Sequence, residues 1–194
     1  MARPRGIDDE AILRAAAGVI GRAGPGGLTL AAVAREVGLV PGTVVQRFGS
    51  KRGLLVALAE SSVREAEGAA RRVRERCGSA LEALGELIVE SAAVMATPES
   101  YANHLAALCG DLVDDELREH ALAVHKAHGR AIATLLTEAE MTGALRRGTD
   151  VAALAWSVQS MVAGVGVVWA LERRGTLADR LRRETGRLIA PHVA

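Results

Sequence analysis

The segment GLVPGTVVQRFGSK, residues 38–51, decides the fold. It holds three glycines and one proline between stretches whose apolar residues recur with helical spacing. Because proline favours the first position of a helix, the segment predicts a short third helix over Pro41–Arg47. Thr29 can cap a second helix, Leu30–Val37, and Gly38 suits its C-terminal end. Two short helices joined by a tight turn indicate a helix-turn-helix unit.

The flanking sequence completes this unit. The spacing of apolar residues predicts a first helix over Asp8–Arg22, with Asp8 as its N-cap. The sequence GPGG at 24–27 then breaks it. Ser50 can cap a fourth helix that runs from Lys51 to about residue 76. The first three helices form a basic N-terminal head, and the fourth leads out of it.

The sequence pattern of the remaining chain also predicts helices. No segment shows a convincing strand pattern of alternating apolar and polar residues. We expect helices at about 79–96, 98–109, 114–142, 149–173 and 176–190. The fold class is therefore predicted to be all-α with about nine helices. We divide the chain into a helix-turn-helix domain at 1–53 and a helical body at 54–194, joined by the fourth helix.

Composition narrows the class of protein. Of 194 residues, 49% are hydrophobic and 2% are aromatic, so the core must be built from aliphatic side chains. Cys77 and Cys109 form no C-x-x-C pair, which argues against a disulfide framework or a cysteine zinc site. The first ten residues lack the apolar stretch of a signal peptide. We expect a cytoplasmic protein.

Charge is unevenly distributed along the chain. Residues 1–53 carry eight Arg and Lys and four Asp and Glu, a net charge of 8 − 4 = +4. The remaining residues carry sixteen and nineteen, a net charge of 16 − 19 = −3. A basic head suits an anionic partner such as DNA, although ordinary surface charge gives the same balance.

The stretch TLAAVAREVGLVPGTVVQRFGSKRGLL, residues 29–55, resembles the TetR family of bacterial transcriptional regulators. The positions that match the family pattern are Ala34, Gly38, Gly42, Thr43, Phe48, Ser50 and Lys51. The resemblance implies a homodimer that binds a near-palindromic double-stranded DNA operator, with a small molecule held in the helical body. It favours a repressor. An activator, or a regulator answering to a protein partner, is the alternative.

Several residues of the head are candidates for DNA contact. They are Thr29, Gly42, Thr43, Gln46, Arg47 and Lys51. Thr43 and Gln46 lie three residues apart on one helix face, so Gln46 can read a base edge and Thr43 a phosphate or a thymine methyl. Lys51 stands at a helix N-terminus, where a cation and free N–H groups attract phosphate.

Three positions depart from the family pattern. Val40 replaces a capping Ser or Thr, which costs about 1 kcal/mol. Val45 and Arg47 stand where aromatic residues are usual, and Arg47 can replace a phosphate contact of tyrosine. Phe48 is expected to pack in the core of the head.

The run VAALAWSVQSMVAGVGVVWAL, residues 151–171, carries no charge and is long enough to span a membrane. Its Ser, Gln, Gly and Ala residues weaken that interpretation. The resemblance implies instead that the last two long helices pair with those of a second subunit, and we expect no membrane association. The predicted interface residues are Val158, Val162, Val165, Trp169, Leu181 and Leu188.

The resemblance also implies an effector site in the body. Candidate residues are Met95, Tyr101, His104, Leu105, Leu108, His125, His128, Trp156 and Gln159. Each of these has a plainer role as core or surface. Outside Phe48 the chain has three aromatic residues, too few for an aromatic cage around a cation. We therefore expect a small apolar effector that is neutral or anionic.

Other chemistry has little support in the sequence. His125 and His128 can share a helix face, but no third ligand stands at a recognisable metal spacing. The sequence has no G-x-S-x-G, P-loop or G-x-G-x-x-G motif. We expect no catalytic residue, no cofactor and no metal. A helical enzyme remains a remote alternative.

Overall fold

The computed structural model describes residues 7–194. The prediction that there is no signal peptide concerns the first ten residues, most of which lie outside this range. Within it the chain forms nine α-helices and no β-strand. They are α1 (Asp9–Gly27), α2 (Leu30–Glu36), α3 (Pro41–Phe48), α4 (Lys51–Arg74), α5 (Ala80–Ser91), α6 (Pro98–Asp111), α7 (Asp115–Met141), α8 (Val151–Glu172) and α9 (Leu177–Ile189). Short 3-10 turns cover Ala93–Met95 and Ala190–His192. The all-α prediction is confirmed.

Local capping explains where the helices of the head begin. The side chains of Asp8, Thr29 and Ser50 accept hydrogen bonds from backbone N–H groups of the first turns of α1, α2 and α4. Each bond satisfies a donor that has no partner inside the helix. Val40 stands at the N-cap of α3 and supplies no such bond, as its side chain predicts.

Two helices end five residues away from their predicted C-terminal ends. The first helix continues past Arg22 and reaches Gly27, with a kink at Gly24, whose φ of 68° lies in the left-handed region. Glycine tolerates this conformation, and Pro25 can open the turn that follows. The fifth helix ends at Ser91, five residues before the predicted end, and a separate 3-10 turn follows it.

Two hydrophobic cores lie one after the other along α4. The core of the head contains ten buried residues, among them Ile12, Val33, Val44 and Leu54. The larger core of the body is built from α4, α5 and α7–α9, with Tyr101 of α6. Leu54 at the start of α4 is buried in the head, whereas Val73 near its end is buried in the body. One continuous helix therefore serves both cores.

The head also packs directly on the body through α1 and α6. The side-chain amide of Asn103 donates to the backbone oxygen of Gly21 at 2.8 Å. Gly21 is buried, and a Cβ at this position would lie 2.7 Å from the hydroxyl of Ser100 and 2.9 Å from the ring of His104. A close helix crossing of this kind requires a residue without a side chain.

Candidate DNA-binding face and effector cavity

Helix α3 presents one face to the head and the other to solvent. Val44 is fully buried, and Phe48 packs against the head core as predicted. The turn before α3 is fixed by the backbone N–H of Leu39, which donates to the oxygen of Ala34 at 2.8 Å. Gln46 and Val45 point outward, and Val45 is 46% exposed. An exposed helix of about two turns held in this way fits a major groove about 12 Å wide.

The remaining predicted contacts occupy different environments. Thr43 is half-buried, and the hydroxyl of Thr29 accepts from the N–H of Ala32 at 3.0 Å, so it acts as a helix cap in the free protein. Gly42 is exposed, and no described atom lies within 4 Å of where its Cβ would stand. Packing inside the protomer therefore does not explain a glycine here.

Both predicted phosphate-binding cations are engaged within the head. Arg47 donates from Nη1 to the backbone oxygen of Ile7 at 2.6 Å and pairs with Asp9 at 3.1 Å. Lys51 donates from Nζ to the backbone oxygen of Pro25 at 2.6 Å. Both contacts lie near the surface, where a phosphate can compete with them. In the free protein these side chains brace α3 and α4 against α1.

A residue that sequence reasoning missed joins the head to the body. Arg52 in the first turn of α4 forms two hydrogen bonds with Asp114, at 2.7 Å and 2.8 Å, and a third with Glu116 at 2.8 Å. Asp114 also caps α7 by accepting from the N–H of Leu117. These bonds, first from Arg52 and then from Leu117, lower the pKa of Asp114 to about 2. The carboxylates in turn raise the pKa of Arg52.

The body contains a cavity of about 190 Å³ between α5, α7 and α8. Its residues are Leu87, Ile88, Ser91, His125, His128, Ala131, Ile132, Gln159, Val162 and Ala163. Three of the predicted effector residues, His125, His128 and Gln159, lie together in its wall. Most of the remaining wall is aliphatic, which is the usual character of a small-molecule site.

The polar groups of the cavity are arranged around Gln159. Its side-chain amide donates to the backbone oxygen of His125 at 2.9 Å and lies 3.4 Å from Nδ1 of the same residue. Burial lowers the pKa of His128, and neighbouring His125 lowers it further, while Glu65 on α4 opposes them. Burial and His125 therefore favour the neutral imidazole form of His128.

The other predicted effector residues do not line this cavity. Tyr101 is buried in the body core, donates its hydroxyl hydrogen to Ala163 at 3.1 Å and meets Trp169 edge-on. His104 lies between α1 and α6, and Trp156 is 68% exposed on the outer side of α8. Met95 packs against the body core, whereas Leu105 and Leu108 lie on the exposed side of α6. These six side chains lie outside the cavity, and their contact with an effector stays a prediction.

Helix α8 exposes an apolar stripe that differs from the predicted interface. Val158, Trp169 and Leu181 are at most 2% exposed because they fill the protomer's own core, so they have little surface left to offer a second subunit. Val162, Val165 and Leu188 also pack against this core and are only partly buried. The exposed stripe, called the α8 stripe below, consists of Trp156, Ser160, Gly164, Val167, Val168 and Leu171.

Helix α8 is long and apolar enough to span a membrane by composition alone, with a mean hydropathy of 1.7. Only 22% of its most apolar window is buried within the protomer. Across residues 7–194, no three His, Cys, Asp or Glu side chains come close enough together to hold a metal ion.

Comparison with known proteins identifies the head. Residues 12–58 match the family model of bacterial regulatory proteins of the tetR family. No curated protein sequence matches the chain at a significant level.

Solved structures resemble the chain over nearly its whole length. FadR from Bacillus subtilis, solved with stearoyl-CoA, is 20% identical with a TM-score of 0.69, covering 94% of this chain and 98% of its own. A protein from Saccharomonospora viridis assigned as a transcriptional regulator and solved with choline is 20% identical with a TM-score of 0.72, covering 95% and 96%. A TetR-family regulator from Cytophaga hutchinsonii is 18% identical with a TM-score of 0.72, covering 96% and 94%.

The resemblance predicted from residues 29–55 is thus confirmed. The first quarter of the chain matches the TetR family, and the whole chain has the fold of TetR-family transcriptional regulators.

Proposed function

We propose that the protein is a cytoplasmic transcriptional repressor that binds a near-palindromic operator as a homodimer and is released by a small apolar effector, neutral or anionic. The observation that carries this proposal is the exposed outer face of α3, with Gln46 and Thr43 free of hydrogen bonds to other described side chains. The basic charge of the head supplies the non-specific attraction to DNA.

The α8 stripe supports the homodimer. Trp156 and Leu171, fifteen residues apart, mark its two ends and are 68% and 77% exposed. Between them, Ser160 and Gly164 are small and allow a second helix to approach closely. An isologous interface along this stripe relates two heads by a two-fold axis, as an operator with two half-sites requires.

The cavity supports control by a small molecule. It lies beside α7, whose N-terminus is bound by Arg52 from the first turn of α4. An effector that shifts α7 can therefore change the position of the head. Effector and operator must then weaken each other's binding by the same factor.

The direct test is selection of bound duplexes from a random DNA pool at two salt concentrations. We expect a palindrome whose two halves lie about one helical turn apart. Gln46→Ala should relax the preference at one base position in each half and weaken binding by about 1–3 kcal/mol. If protein refolded without effector enriches no DNA sequence, the proposal that it is an operator-binding regulator is excluded.

A further inference from the structure

We propose that the cavity between α5, α7 and α8 binds a small aliphatic carboxylic acid, with its carboxylate at His125 and His128, and that binding takes up one proton. The inference rests on the proposed function, because it specifies the chemical class of the effector. It adds a pH dependence that an effector of another class would not show.

The walls of the cavity discriminate against a cation. Among the described residues that line it, none carries a carboxylate and none is Phe, Tyr or Trp. A positive charge would therefore meet no carboxylate and no large aromatic face in the wall itself, since Glu65 on α4, which acts on His128, lies outside the lining. The choline found in the Saccharomonospora viridis protein is a cation of this kind, and this cavity does not suit it.

The polar groups favour an anion instead. His125 and His128 lie one turn apart on α7, and Gln159 faces them from α8. Gln159 directs its side-chain amide nitrogen at His125, towards the backbone oxygen at 2.9 Å and the ring Nδ1 at 3.4 Å, and so holds the His125 ring at the wall without itself donating to the ligand. The ring of His128 forms no hydrogen bond with any other described residue, so its N–H is available to a carboxylate oxygen.

The surroundings of His128 explain why ligand binding takes up a proton. Burial and the neighbouring His125 both lower its pKa, and Glu65 on α4 is the charged group that opposes this shift. The groups facing the cavity from α5 and α8, Ser91 and Gln159, are uncharged. A carboxylate at hydrogen-bond distance would favour the imidazolium, so a proton from solvent binds to His128 together with the ligand.

The rest of the cavity sets the size and shape of the ligand. Its volume of about 190 Å³ lies below the roughly 300–1,000 Å³ that is usual for drug-sized ligands. Leu87, Ile132 and Val162 give it aliphatic walls suited to a hydrocarbon chain. A short or medium-length aliphatic acid satisfies both the volume and the chemistry.

The test is calorimetric titration of the full chain with octanoate, octanamide and octylamine between about pH 6 and 8. Each titration is repeated in two buffers of different ionisation enthalpy, which measures proton uptake. We expect octanoate to bind with uptake of about one proton, octanamide to bind at least tenfold more weakly, and octylamine not to bind. Affinity for octanoate should fall with rising pH by up to about tenfold per unit.

Variants assign the effect to the cavity. His128→Gln keeps a hydrogen-bond donor but cannot titrate, so it should abolish proton uptake and weaken octanoate binding at least tenfold. His120→Gln changes a histidine on the same helix outside the cavity and should bind as the wild type does. Circular dichroism checks that each variant folds. If His128→Gln does not fold, proton uptake by the wild type and octanoate binding by His125→Gln test the inference instead. We expect His125→Gln to bind octanoate at least threefold more weakly than the wild type.

Equal binding of octanamide and octanoate, absence of proton uptake, or preference for octylamine would overturn this inference. Duplex selection on the same preparation separates it from the proposed function. If a palindrome is selected but no acid binds, only the effector class is wrong. If the acid binds but no duplex is selected, the carboxylic-acid site stands and the operator-binding function fails.

Discussion

Arg52 and Asp114 form a two-pronged ion pair between the first turn of α4 and the N-cap of α7, with N–O distances of 2.7 Å and 2.8 Å. Such a pair has directional as well as electrostatic specificity. It connects the helix that follows the DNA-binding motif with the helix that carries both cavity histidines.

The first prediction concerns pH. The folded pKa of Asp114 is lowered from 3.8 to about 2, so the folded state binds fewer protons than the unfolded state between these values. Its stabilising effect is therefore present above about pH 4 and is lost as the pH falls towards 2. Asp114→Asn keeps a good N-cap but removes the charge. We expect its melting temperature to lie below that of wild type at pH 6 and to approach it as the pH falls towards 2. A difference of constant size across this range would contradict the assignment.

The second prediction concerns Arg47. Arg47→Ala should weaken binding to all DNA sequences and lower the salt slope of binding by about one, if the guanidinium leaves Asp9 to bind a phosphate. The matched control is Asp9→Asn, which breaks the 3.1 Å ion pair but keeps the arginine. It should bind DNA at least as tightly as wild type. A lower melting temperature of Arg47→Ala with an unchanged salt slope would show that Arg47 only braces α1.

The third prediction concerns the α8 stripe. Leu171→Arg places a charge at one end of the proposed interface, and we expect the variant to be monomeric by light scattering. Loss of the dimer should also abolish tight binding to a palindrome while leaving half-site binding. Met141→Arg is the control, because Met141 is similarly exposed but lies at the end of α7 and outside the stripe. A Leu171→Arg variant that remains dimeric would place the interface elsewhere.

The fourth prediction concerns packing between α6 and α8. A Cβ at Gly166 would overlap the ring of Tyr101, which is buried against Trp169. Gly166→Ala should therefore lower the free energy of unfolding by about 1–3 kcal/mol. Gly85→Ala has free space around the added methyl group and should raise it by about 0.5–1 kcal/mol because alanine favours a helix. Chemical denaturation measures both, and equal effects of the two changes would refute the packing argument.

Features set by neighbouring residues could be predicted from the sequence. The caps at Asp8, Thr29 and Ser50 depend on an oxygen three residues before a backbone N–H, so composition and spacing were sufficient. The helix-turn-helix unit follows from the same local signals, together with Gly38 and its φ of 69°.

Features set by distant residues could not be predicted. Arg52 and Asp114 are 62 residues apart, and nothing in either local sequence indicates the other. Helix α8 is apolar on all sides, so its sequence gives no hydrophobic face from which to distinguish Val158, which is buried, from Trp156, which is exposed. The grouping of His125, His128 and Gln159 was partly predictable, because polar side chains are conspicuous in an otherwise apolar body. The position of Tyr101 was not predictable, because it depends on the close packing of its ring against Gly166.

The shared helix α4 has a consequence for exchanging DNA-binding heads between regulators. Leu54 is fully buried in the head core, and Leu55, Ala57 and Leu58 pack against that core. A fragment cut after residue 53 would lose these side chains and expose the underside of α1. An autonomous head must therefore extend beyond Leu58, at least two turns into α4. A chimera that carries a new DNA specificity must be joined beyond the same residue.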